Sequence, residues 1–127
     1  MPQAPWKSFL TPQPDRIYLA LISYLPLRSY RAMPRFFRFT REIMRQLASS
    51  HGLIGYSLDA HVLARRFWTL SVWENQQALN DFVRAQPHAR IMHDLAPHLG
   101  KTQFVQWQIS AADIPLDWTS AKARLSG

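Results

Sequence analysis

No cysteine occurs anywhere in the 127 residues, which excludes disulfides, thiolate nucleophiles, iron–sulfur clusters and cysteine zinc sites together. Glycine is scarce, with four in the chain, and no Gly-rich phosphate loop can be built from them. There are only eight acidic residues, and neither a paired-carboxylate pattern nor a Ser/His/Asp order is present. Long apolar runs are missing too. The longest, residues 17–25, is interrupted by Ser23 and is too short to cross a bilayer. Residues 1–14 carry Lys7 and Pro2, Pro5, Pro12 and Pro14 in place of a continuous apolar stretch, so they do not read as a signal peptide. The expectation is a cytoplasmic protein, which the lack of cysteine fits.

What is present is enough for a core. Hydrophobic residues make up 47% and aromatic residues 13%, against 18% charged, so the chain is not of the disordered class. At this length a single domain buries roughly two-thirds of its unfolded surface without a metal or a cross-link. The net charge of +7 is uneven, because Arg28, Arg31, Arg35, Arg38, Arg41 and Arg45 crowd one segment. Such a patch suits an anionic membrane surface or an acidic partner. Nucleic acid is disfavoured, since no recognition motif accompanies the charge.

The pattern divides the chain into a proline-rich arm (1–16), a central domain (17–110) and a C-terminal extension with a short helix (111–127). Residues 17–25 are apolar on both faces and stop at Pro26, which predicts an interior strand. At about 100° per residue, Phe36, Phe39, Thr40, Ile43 and Leu47 share one face of a helix over 34–50. Arg35, Arg38, Arg41 and Arg45 take the opposite face. Residues 53–59 and 65–73 predict two joined strands. In the second, Phe67, Thr69, Ser71 and Trp73 oppose Trp68, Leu70 and Val72. Asn75 is a suitable N-cap for a helix over 76–85, and Pro87 opens a further helical piece to Leu95. A last strand over 103–109 puts Val105, Trp107 and Ile109 on one face, and a closing helix is expected within 113–125.

The order is strand, helix, strand, strand, helix, strand. It predicts a ferredoxin-like β-α-β-β-α-β fold with a four-stranded antiparallel sheet. Helices cover one face of such a sheet. With both faces apolar, the other face is expected to meet a second copy, giving a homodimeric α+β barrel.

The segment Thr69-Leu-Ser-Val-Trp-Glu74, with Ala78-Leu79, Phe82-Val83, His88 and Met92, resembles the antibiotic-biosynthesis-monooxygenase superfamily of dimeric α+β barrels. Trp107 and Ala121-Lys122-Ala123-Arg124-Leu125 extend the resemblance toward the C-terminus. Phe67-Trp68-Thr69, Ser71 and Trp73 are similar to a strand of spheroidene monooxygenase. The resemblance implies the barrel fold and a pocket between sheet and helices for a small apolar or aromatic molecule. It also implies monooxygenase-type chemistry, either without a cofactor or with haem.

Haem-degrading members use an Asn on the first strand, a Trp on the second helix and a His further on. Ser23 and Phe82 depart from the first two, and His93 lies one residue beyond the third. Haem binding would then fall to His88 or His93. For oxygenation without a cofactor, His88 is the candidate catalytic base. Trp73, Phe82, His93, Tyr24, Ser23, Thr69, Met92 and Trp107 are the candidate ligand-binding residues.

No metal site is expected. His88, His93 and His98 are spaced by five, which turns each about 140° from the last on a helix. The alternative to an enzyme is a non-catalytic barrel that binds a ligand or partner, with the basic amphipathic helix contacting a membrane or an acidic surface.

Overall fold

A computed structural model describes residues 5–125. The chain runs β1 (Lys7–Ser8), β2 (Ile17–Pro26), α1 (Met33–Ala48), β3 (Leu53–His61), β4 (Arg66–Trp73), α2 (Gln76–Arg84), α3 (His88–Leu95), β5 (Gln103–Ser110) and α4 (Trp118–Lys122). The sheet order is β1-β3-β4-β2-β5, with every neighbouring pair antiparallel. Without β1 this is the ferredoxin-like arrangement expected from the element order.

The doubly apolar β2 lies inside the sheet, paired to β4 on one side and β5 on the other. Alternation along it feeds two separate cores. Leu19, Leu21 and Leu25 point toward α1, α2 and α3, while Tyr18, Ala20 and Ile22 point away from them. α1 buries Phe36, Phe39 and Leu47 on the first of these faces, as its period predicts. Asn75 Oδ1 accepts from the Ala78 amide at 2.9 Å and fixes the start of α2. Gly52, at φ +84°, makes the turn from α1 into β3. A Cβ there would stand 2.7 Å from that of Ala78, so the turn and the docking of α2 both require glycine.

One expectation is corrected. The sheet has five strands, not four, because the N-terminal arm pairs Lys7 and Ser8 with Tyr56 and Gly55. The arm fits because Gly55 has no side chain: a Cβ there would lie 2.5 Å from the Trp6 indole nitrogen. The short closing helix falls within its expected span. Residues 111–113 form one 3₁₀ turn capped by Ser110 and Asp113, and the α-helix proper is α4.

These two terminal segments change the status of the second sheet face. It was expected to be bare. Instead Trp6, Ile114, Leu116, Trp118, Ala121 and Leu125 pack on Tyr18, Ala20, Ile22, Leu70, Val72 and Trp107. The chain supplies much of the cover that a second copy was invoked to provide.

A polar latch holds the C-terminal part of this cover. Asp59, on β3, has a side chain with 0% exposure, and it receives a hydrogen bond from Lys122 Nζ of α4. His61 Nε2 lies 3.1 Å from the other carboxylate oxygen. Trp118 Nε1 donates to Ser57 Oγ at 3.3 Å, and the Arg124 guanidinium lies 4.4 Å from the centroid of the Trp107 ring.

Candidate functional site

The Trp73 side chain is fully buried on the helix side of the sheet, and its Nε1 donates to Ser71 Oγ at 2.9 Å. β4 places it there because Trp73 continues the row of Phe67, Thr69 and Ser71. The Phe82 ring of α2 packs on it at 5.2 Å, and the His88 imidazole packs on Phe82 at 4.8 Å. The three rings pack in sequence from the core outward, each tilted against the next.

His88 opens α3 and is held at two points. Its amide donates to Gln46 Oε1 of α1 at 2.8 Å, and Nδ1 lies 3.2 Å from the Val83 carbonyl oxygen. Gln46 Nε2 in turn donates to the Phe82 carbonyl at 3.0 Å, so one side chain ties α1 to the α2–α3 junction. Burial lowers the His88 pKa below its usual 6.5, and the Val83 hydrogen bond opposes that shift only in part. At neutral pH the ring is therefore uncharged. With Nδ1–H donating to Val83, Nε2 carries the basic lone pair. That arrangement can accept a proton.

The structure divides the remaining sequence candidates. Ser23 and Thr69 are cross-strand partners on the helix side, on the same sheet face as Trp73 but four residues along the strands from it. Met92 is half-buried on α3, and His93 is exposed. Tyr24 and Trp107 belong to the other face, where Tyr24 packs on Trp68 at 5.3 Å and Trp107 joins the terminal cover. They cannot share a ligand with Trp73 across the sheet. The Gln46 contribution was not anticipated. It lies 42 residues from His88, and nothing local marks it.

The expected closed apolar pocket is filled. Trp73, Leu79, Phe82, Leu47 and Leu53 pack into one cluster under α2. The concave surface beside it is an open, polar groove of about 430 Å³ that includes Gln46, Ser50, Glu74, Asp81 and Phe82. Haem, left open by the family resemblance, does not fit this arrangement. The cluster under α2 is filled and the groove beside it is open and polar, so neither offers the apolar cavity that haem needs.

The helix side is less completely covered toward β5. Phe104 is 54% exposed, and Gln106 and Gln108 in the same row are exposed as well. Leu19 and Leu21 of the adjacent β2 keep partial exposure.

The arginines lie where the helical period puts them, exposed on α1. Arg35, Arg38 and Arg45, with Arg90 of α3, line an open groove of about 700 Å³. Glu42 and Asp94 share it, and Glu42 pairs with Arg90 at 3.1 Å. The apolar face of α1 is consumed by the core, so the helix cannot insert that face into a bilayer while folded. Among the described residues, no helix is long and apolar enough to cross a membrane.

No protein-family model matches the chain, and no curated protein matches it by sequence. Solved structures do. An antibiotic biosynthesis monooxygenase superposes with a TM-score of 0.64 at 15% identity, covering 70% of this chain and 95% of its own. SnoaB, a cofactor-independent oxygenase from Streptomyces nogalater, gives 0.59 at 10% identity over 71% of this chain and 90% of its own. A dimeric ferredoxin-like protein of unknown function from Thermobifida fusca YX gives 0.62 at 14% identity over 75% and 93%. These likenesses establish the fold: the chain has the ferredoxin-like α+β architecture that antibiotic biosynthesis monooxygenases also have.

Proposed function

We propose that the protein is a monooxygenase-type enzyme that works without haem on a small phenolic or similarly acidic aromatic molecule. The observation that carries this reading is the His88 imidazole: neutral, oriented by Val83 and Gln46, and packed on Phe82 above Trp73. A substrate ring takes the place of Phe82 against Trp73 when the Phe82 side chain turns out toward the groove. His88 Nε2 then removes the acidic proton. The substrate anion reduces dioxygen; one oxygen atom enters the ring and the other leaves as water with two substrate hydrogens, forming a quinone. No external reductant is consumed. The likeness to a cofactor-independent oxygenase supports this chemistry, and it is the likeness of a fold.

The test is oxygen uptake with a panel of phenols, comparing the wild type with His88→Ala and Phe82→Ala. His88→Ala is expected to lower kcat by 10²-fold or more, the lower end of the usual general-base contribution of about 10²–10⁴. The acid limb of the rate profile should fall below pH 6.5, because burial lowers the His88 pKa. Phe82→Ala should tighten substrate binding by opening the ring site. Unchanged kcat in His88→Ala would end this assignment.

Self-association belongs to the same reading, and the likeness to a protein described as dimeric supports it. The surface offered through the sheet face is now the terminal cover together with what it leaves open. Light scattering at micromolar concentration should give twice the 14.8 kDa chain mass, and a particle of one chain mass removes the dimer.

A further inference from the structure

The latch that holds α4 has the composition of a cation-binding cage. Its fixed part belongs to the sheet. Tyr24, Trp68 and Asp59 occupy one cross-strand row, Tyr24 opposite Trp68 and Trp68 opposite Asp59. Tyr24 packs on the Trp68 ring at 5.3 Å, and the His61 ring meets its edge at 5.1 Å. The Lys122 ammonium sits 4.0 Å from the Trp68 centroid and 5.7 Å from that of Trp118, with its hydrogen bond to the buried Asp59 carboxylate. An aromatic face and a desolvated carboxylate around one ammonium are the two elements by which proteins recognise organic cations.

The occupant and one wall are detachable together. Lys122 and Trp118 both lie on α4, a helix of five residues, too short to persist without its docking contacts, so both leave the sheet together when those contacts break. When they leave, Asp59, Trp68, Tyr24 and His61 stay in place on three hydrogen-bonded strands. The geometry points to a binding site for a primary aliphatic ammonium on this face of the sheet, in which Lys122 is the chain's own resident ligand. The site is separate from His88, which lies on the helix side, and does not depend on the oxygenase reading.

The test uses the full chain with Lys122→Ala and two probes of one shape, n-butylammonium and the uncharged n-butanol. The ammonium is expected to raise the melting temperature of the variant saturably, recovering most of what the substitution removes, while the alcohol does not. Adding Asp59→Asn should abolish the ammonium response. Equal effects of the two probes would show cavity filling alone and overturn the proposal, as would no effect on a folded variant. If Lys122→Ala does not fold, the wild type decides. The ammonium, unlike the alcohol, should then accelerate chymotrypsin cleavage after Trp118 by competing for the cage. Equal cleavage with both probes rejects the site.

Discussion

Trp73→Ala is expected to destabilise the protein by about 3–5 kcal/mol, read as a lower urea midpoint at unchanged slope. The side chain has 0% exposure and packs in one cluster with Leu47, Leu53, Leu79 and Phe82, so its removal leaves a cavity lined from three elements. Ser71 also loses the indole N–H that it accepts. Against a total stability of about 5–15 kcal/mol this is about a fifth of the fold or more. Trp107→Ala is the built-in comparison. Trp107 is only partly buried beneath the terminal cover, so the same change there should cost less than half as much. Equal losses at both sites would mean that the helix side is not the better packed of the two cores.

The second large effect is at the latch. Lys122→Met keeps most of the stem and removes the charge, leaving the Asp59 carboxylate buried. Breaking a buried pair from one side costs about 3–5 kcal/mol, and the lower end applies here for two reasons. The Lys122 side chain is 29% exposed, and His61 remains 3.1 Å from Asp59. Adding Asp59→Asn to Lys122→Met should regain most of the loss, because a buried charge that has lost its ammonium is what is expensive. A double-mutant cycle on urea midpoints measures this coupling. If the two losses simply add, Asp59 is already adequately solvated and the latch is ornamental.

The central architecture was legible because local pattern and burial agree. β2 is apolar on both faces and lies between two strands; β4 alternates and divides its tryptophans accordingly. α1 repeats every three to four residues and buries that stripe. What could not be read is which sheet face the helices take, since both faces are apolar. That is why Tyr24 and Trp107 were grouped with Trp73, although the register places them on opposite sides. β1 carries no local signal in two residues, and its position depends on a glycine 47 residues later. The latch escapes for the same reason: Asp59 and Lys122 lie 63 residues apart, and the C-terminal segment that holds Lys122 carries no local sign of its partner.

Because Trp6 and Leu125 pack on one cluster, both ends of the described chain arrive at the same face of the sheet. A linker between them would run over that face without threading the structure, and Leu63, 88% exposed in the β3–β4 turn, offers a place to open new ends. The fold is in this sense nearly a closed ring of chain. A circularly permuted form opened there would keep α1, α2 and α3 intact and turn both terminal covers into one continuous loop.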